Sequence, residues 1–228
     1  TSLHLYQLCS ELELPVRMGP EGRGVIVDSR PALKSAGQTG SGGDRRIALR
    51  ADIDALRIQD EKQADYRSQV PGMMHACGHD AHTATVFGAL LALDTAAKRG
   101  DSDVPLWRAI FQPAEEICHG ARDMIDAGAL DEIDAIIALH VDPTRRTGVV
   151  GVRPGVLTAN CDDMRITIHG RGGHGARPHE SKDPIAAAAQ LISTLYQFVP
   201  RAADSQDAGV VSIGCIRGGE SSNVIREH

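Results

Sequence analysis

The spacing of hydrophobic positions changes several times along the chain, and each change predicts an element. Leu3, Leu5, Leu8, Leu12 and Leu14 recur among polar residues over 2–14, the pattern of an amphipathic helix. "GRGVIVDS" (22–29) reads as a short strand. "RRIALRA" (45–51), "VPLWRAIFQ" (104–112) and "DAIIALHV" (134–141) read as three further strands. Between them, the Ala- and Leu-rich stretch 79–99 predicts a helix broken by Gly100. "EEICHGARDMIDAGAL" (115–130) predicts another, ending near Gly128. Strands alternating with helices imply an α/β sheet with helices on its faces. "KSAGQTGSGGD" (34–44) is rich in Gly and Ser and reads as a turn or hairpin loop.

Beyond Val141 the texture changes. "TGVVGVRPG" reads as a crossing segment. "DMRITIHGRG" (163–172) alternates apolar and polar residues, as a half-exposed strand does. "DPIAAAAQLISTLYQFV" (183–199) predicts a helix with Pro184 in its first turn. "AGVVSIGCIRGG" predicts another strand. This β-α-β stretch predicts a second, smaller domain from about residue 155.

Composition narrows the function. Aromatics are only 3% of the residues, so the core rests on Ala, Val, Ile and Leu. A formal net charge of −6 argues against a nucleic-acid or anionic-membrane partner. No run is long and apolar enough to span a bilayer. The five cysteines are scattered and odd in number, which does not read as a disulfide framework and favours a reducing cytoplasm. Cys9, Cys118, Cys161 and Cys215 read as small buried residues, and only Cys77 stands among ligand types.

The candidate chemistry gathers at strand ends. "RRIALRA" runs into Asp52 and Asp54, "WRAIFQP" into Glu115 and Glu116, and "AIIAL" into His140. Ligands of open α/β sheets collect at the carboxyl ends of the strands. "GMMHACGHDAHTA" (72–84) adds Cys77, His75, His79 and His82 at a helix start. Thiolate, imidazole and carboxylate together suit zinc or a similar divalent ion. Each feature also has a plainer explanation. Glu115 and Glu116 could complement a helix dipole, Asp52 and Asp54 could be turn residues, and His140 could be a satisfied core histidine. Cys77 as a nucleophile is the sharper rival. The doublet Glu115–Glu116 has no job in a thiol enzyme. In a metal enzyme, neighbours about 100° apart at a helix start can bind the ion and serve as general base for water.

Six stretches, "LRADIDALRIQDE", "GMMHACGHDAHTA", "FQPAEE", "ALHVDP", "GRGGHGARPHESKDPIAAAA" and "GGESSNVI", resemble in order those of the dinuclear-metal amidohydrolases. That family includes hippurate hydrolases, N-acyl-amino-acid deacylases and plant indole-acetyl-amino-acid hydrolases. The resemblance implies an α/β catalytic domain over 1–154, with a mixed, mostly parallel sheet flanked by helices. A smaller α+β, ferredoxin-like lid and dimerisation domain would follow over 155–228, incomplete at its C-terminus. Cys77, His79, Glu116 and His140 match the family's metal ligands. Glu115 matches the general base that activates the attacking water and then protonates the leaving amine. His174 matches a lid histidine that polarises the scissile carbonyl in the partner subunit of a homodimer. Asn223 matches a residue that helps hold substrate. Asp54, and with less to distinguish it Asp52, would orient ligands from behind. His75 and His82 would support the loop.

The implied cofactor is a pair of divalent ions, zinc or manganese, with cobalt or nickel also open. The implied substrate is a small N-acyl amino acid, with a dipeptide for a dipeptidase or carboxypeptidase of the same family as the runner-up. A non-catalytic module with a structural metal is the alternative from another class. The chain departs from the family pattern at Arg57 (usually Pro), at Gly175 (usually Ala) and at Cys118–His119 (usually more Gly-rich). The family's last metal-binding histidine has no match, since His228 falls at the beginning of a lid strand. This points to a truncated chain whose own activity is in doubt.

Overall fold

The computed structural model describes residues 1–30, 45–158, 161–204 and 209–228. The Gly- and Ser-rich stretch 34–44 lies outside them. The chain divides into two compact units, Thr1–Thr147 and Gly148–His228.

The first unit is a mixed sheet flanked by helices. Its elements are α1 (Ser2–Glu11), β1 (Val16–Met18), β2 (Val25–Asp28), β3 (Arg46–Asp52), α2 (His79–Lys98), β4 (Leu106–Gln112), α3 (Gly120–Asp126) and β5 (Ala135–Ala138). The strand order is β1-β2-β4-β3-β5. β3 pairs in parallel with β4 on one side and β5 on the other, while β1–β2 and β2–β4 are antiparallel. The register sets Asp52 of β3 opposite Gln112 of β4. The carboxyl ends of β3, β4 and β5 therefore open on one edge, where the chemistry-bearing residues begin.

Packing explains why these segments form. β4 is an almost continuous apolar run because both of its faces are covered. Trp107, Ala109 and Phe111 face one core with Val25, Val27, Val86, Leu90 and the α1 residues Leu5 and Cys9. Ile110 faces the other, with Ile26, Ala48, Met124 and Ala129. α2 buries His79, His82, Val86, Leu90 and Asp94, one stripe at three- and four-residue steps. Two histidines and an aspartate in that stripe are buried polar residues whose side chains have partners elsewhere in the unit. Asp80 in its first turn and Lys98 in its last complement the helix dipole.

The second unit contains a two-stranded antiparallel ladder, β6 (Gly173–His174) with β7 (Val224–Ile225), and α4 (Pro184–Ala202). The Asp183 side chain caps α4 by accepting from the amides of Ile185 and Ala186.

Several expectations are corrected. The helix expected over 115–130 is only Gly120–Asp126, because Ala114 (φ 53°) and Cys118 (φ 56°) take left-handed conformations and make a tight turn first. The first helix ends at Glu11 rather than 14, where Glu13 also turns left-handed (φ 55°). Neither 163–170 nor 209–219 forms a strand. Alternation marks which face could be buried, but a strand also needs a ladder partner, and Met164, Ile166, Val210 and Ile216 are exposed. Of the four cysteines expected to be buried, only Cys9 is; Cys118, Cys161 and Cys215 are exposed.

Candidate metal centre

Four segments of the first unit meet at the open sheet edge. β3 and the residues after it bring Asp52 and Asp54. The loop entering α2 brings Cys77 and His79. The turn after β4 brings Glu115 and Glu116, and the residue pair after β5 brings His140. Among the described residues, three clusters of ligating atoms, each within 4.8 Å of one another, share His79: Cys77–His79–His140, His79–Glu115–Glu116 and Asp52–His79–His82.

The backbone makes this convergence possible. Gly78 is left-handed at φ 84°, between Cys77 and His79. A Cβ there would fall 2.4 Å from the Val141 side chain, so the loop passes directly over the residue after His140. In the turn 113–120, the amides of His119 and Gly120 both donate to the Ala114 carbonyl, at 3.3 and 3.1 Å. Glu115 and Glu116 thus lie in a turn four residues ahead of α3. They are not the first-turn dipole partners that the sequence also allowed.

The histidine hydrogen bonds decide which nitrogens are available. His79 is buried, and its Nδ1 lies 3.0 Å from the Asp54 main-chain carbonyl, so Nδ1 carries the proton. Its Nε2 lone pair then faces the cluster with no hydrogen-bond partner, although it is buried. Around it stand Asp52 Oδ1 at 3.7 Å, Glu116 Oε1 at 3.7 Å and Glu115 Oε2 at 3.9 Å. His140 repeats the arrangement. Its Nδ1 donates to the Val141 carbonyl at 2.8 Å, and its Nε2 lies 3.3 Å from Cys77 Sγ. An Nδ1–H bonded to a carbonyl, with Nε2 turned to the cluster, is how metal-binding imidazoles are usually held.

His82 is different. Its Nδ1 is 2.6 Å from Asp52 Oδ1, and its Nε2 accepts the Val141 amide at 2.9 Å. Both nitrogens are in use, which removes the Asp52–His79–His82 cluster from the metal-binding candidates. Asp54 joins two other members of the site. Besides its carbonyl on His79, its Oδ2 accepts the Glu116 amide at 3.1 Å. The main-chain carbonyls of Asp54 and Val141 were not readable as functional groups from sequence. His82 was singled out in sequence as a supporting residue, but its two partners, Asp52 and the Val141 amide, were not.

Electrostatics favour a cation. Burial pushes the Cys77 thiol up, and the carboxylates of Glu116, Glu115 and Asp52 push it further. A nucleophilic thiol needs the opposite shift. Burial alone would also raise Asp52, but the His82 hydrogen bond and the Arg50 charge outweigh it and hold that carboxyl below its usual range. A buried imidazole lone pair among a thiol and three carboxylates suits a divalent ion. The residues present fit the group.

His174 and Asn223 lie in the second unit, His174 on β6 of the β6–β7 ladder and Asn223 directly before β7. Gly175 donates its amide to the Asn223 carbonyl at 2.8 Å, so the two residues are close neighbours across it. His174 Nδ1 accepts the Ala176 amide at 3.1 Å, and the residue is exposed. No described helix is long and apolar enough to cross a membrane.

A sheet edge that gathers Cys, His and paired Glu defines this unit as an α/β domain with a candidate metal centre. The chain belongs to peptidase family M20/M25/M40, which it matches over residues 48–225. It is 46% identical to an N-acetylcysteine deacetylase of Bacillus subtilis over 78% of this chain and 46% of that protein. It is 41% identical to an IAA-amino acid hydrolase of Arabidopsis thaliana over 83% of this chain and 43% of that protein. The crystal structure of a dinuclear metal-binding M20 peptidase of Bacillus subtilis superposes with a TM-score of 0.65 at 35% identity, covering 98% of this chain and 54% of that one. The chain spans about half the length of the curated relatives it matches.

Proposed function

We propose that this chain carries the metal-binding part of an amidohydrolase that cleaves the amide bond of N-acyl amino acids. The observation that carries the reading is the buried, unpartnered His79 Nε2, in a residue shared by the Cys77–His79–His140 and His79–Glu115–Glu116 clusters. Cys77, His79, Glu116 and His140 would hold two divalent ions, zinc or manganese in the first instance, with cobalt or nickel as alternatives. Such ions supply Lewis-acid polarisation of the amide carbonyl and make water acidic enough to deprotonate near neutral pH.

The two glutamates divide the work according to their surroundings. Glu116 is exposed as a residue, but its side chain is the more enclosed of the two, 26% exposed against 41% for Glu115, and its amide is tied to Asp54. Glu116 therefore serves as ligand. Glu115, whose side chain is the less enclosed, takes a proton from the attacking water at a carboxylate oxygen. It returns that proton to the leaving amine nitrogen, so the products are a carboxylic acid and a free amino acid. Asp54 orients His79 and Glu116. His174 would polarise the scissile carbonyl and Asn223 would hold substrate, with His174 acting across a homodimer formed through the second unit. A reducing compartment such as the cytoplasm would keep the Cys77 thiol available.

The deciding experiment is Glu115→Gln in the whole protein, assayed on N-acetyl and N-benzoyl amino acids and on dipeptides. Metal content should be retained while kcat falls by roughly 10²–10⁴. Near-normal turnover would refute the assignment of the base. A preference for dipeptides would move the substrate to the dipeptidase class.

A further inference from the structure

We propose that the buried Asp52–His82 pair is the positioning device for His140, acting through the main chain of Val141. The inference rests on reading His140 as a metal ligand and assigns a purpose to a histidine that binds no metal.

Both members of the pair are enclosed. His82 is 0% and Asp52 1% exposed. His82 Nε2 accepts the Val141 amide at 2.9 Å, and the Val141 carbonyl in turn accepts His140 Nδ1 at 2.8 Å. The peptide group after His140 is thus held by its own amide, and the residue's carbonyl orients the imidazole. The His82 and His140 rings also meet edge to face, with centroids 4.6 Å apart.

For this to work, His82 Nε2 must be an acceptor, so its proton must sit on Nδ1. Asp52 Oδ1, 2.6 Å from Nδ1, selects that tautomer. Asp52 is itself clamped. Its Oδ2 accepts Arg50 Nη1 at 2.7 Å, Arg50 Nε donates to Gln112 Oε1 at 2.9 Å, and Thr83 Oγ1 donates to the Asp52 carbonyl at 3.1 Å. The chain Gln112–Arg50–Asp52–His82–Val141 thus links β4, β3, α2 and the end of β5. α2 carries His79 three residues before His82. One side chain therefore ties the His79 helix to the His140 strand end, and this hydrogen bond adds to the packing of the Gly78 loop over Val141.

The test measures Co²⁺ and Zn²⁺ affinity by calorimetry and records the Co²⁺ absorption spectrum, with a melt of the metal-free protein as the folding control. His82→Leu should fold, bind metal about 10–100-fold more weakly and shift the Co²⁺ bands. His82→Gln offers an amide oxygen to the Val141 N–H and should recover most of the affinity. Should His82→Leu fail to fold, Asp52→Asn keeps the shape but removes the charge that selects the tautomer. It should still move the spectrum and weaken binding about 10-fold. Native affinity and an unaltered spectrum in a folded His82→Leu or Asp52→Asn protein would overturn the inference, as would a His82→Gln protein no better than His82→Leu. A parallel His140→Ala protein separates the two levels. If it binds metal normally, the ligand reading itself has failed.

Discussion

Cys77 Sγ lies 3.3 Å from His140 Nε2, although the two residues are 63 positions apart. The contact joins the loop entering α2 to the end of β5, and it places a soft sulfur beside an imidazole lone pair. If both are ligands of one ion, removing either should weaken binding by more than the roughly 10–100-fold typical of a supporting residue. Cys77→Ser should also abolish the near-ultraviolet thiolate-to-metal band of the Co²⁺ protein, whereas His140→Ala should keep that band and lose affinity. A Cys77→Ser protein that retained the band would show that the sulfur belongs to another cysteine.

The convergence of these segments was legible because chemistry-bearing residues stand directly after apolar runs. Asp52 follows "RIALRA" and His140 follows "AIIAL", and parallel pairing carries such positions to one edge. The turn that presents Glu115 and Glu116 was not legible. It depends on left-handed Ala114 and Cys118, residue types that do not advertise that conformation as Gly or Asn would. The roles of the Asp54 and Val141 carbonyls were hidden for another reason. Every residue has a carbonyl, and only the fold decides which ones face a histidine. In the second unit, the alternation at 163–172 correctly marks a two-faced segment but names no partner strand, and pairing is a non-local property.

The same turn yields a prediction about Gly120. A Cβ at this position would lie 1.5 Å from the Pro113 carbonyl oxygen, an impossible contact. Gly120→Ala must push the 113–119 turn away from α3, and Glu115 and Glu116 with it. The expected result is a loss of stability at or beyond the upper end of the ~1–3 kcal/mol seen for overpacked sites. Metal affinity should fall together with the melting temperature. Gly88, where a Cβ meets nothing within 4 Å, provides the control. Gly88→Ala lies inside α2 and should leave the protein as stable or more so, by roughly 0.5–1 kcal/mol.

Asp94 governs part of the acid response. It lies in the buried stripe of α2, with Lys98 Nζ at 2.7 Å and Arg30 Nε at 3.2 Å. Burial would raise its carboxyl, but the hydrogen bonds and charges of Lys98 and Arg30 win and hold it below its ordinary value of 3.8. A carboxylate with a depressed folded-state pKa stabilises fully above its unfolded value, and that stability is lost as pH falls through the folded value. Asp94→Asn should therefore cost about 1–2 kcal/mol at pH 7, since both partners are partly solvated. The gap from the unsubstituted protein should close as pH drops below about 3.8. Urea denaturation at pH 7, 5, 4 and 3 measures it, and a gap that stayed constant would show that the pair contributes through shape rather than charge.

The thiols should separate by burial. Cys9 is fully enclosed in the core against α1, β2 and α2 residues, and burial pushes its pKa up to about 11. The reactive species is the thiolate, so Cys9 is doubly protected at neutral pH, by access and by protonation. Iodoacetamide at pH 7.5 followed by peptide mass spectrometry should modify the exposed Cys118, Cys161 and Cys215 first. Cys9 should stay unmodified until the first unit opens. Its labelling rate in increasing urea should follow the unfolding of the sheet, which makes it a native reporter of that unit. The raised pKa also has a sign for stability. An acid whose folded pKa exceeds its unfolded one loses stabilisation as pH rises from its ordinary 9.0 towards 11, because the unfolded chain releases the proton more readily. Cys9→Ala should remove that alkaline component, and an identical alkaline denaturation profile for the two proteins would show that Cys9 plays no part in it.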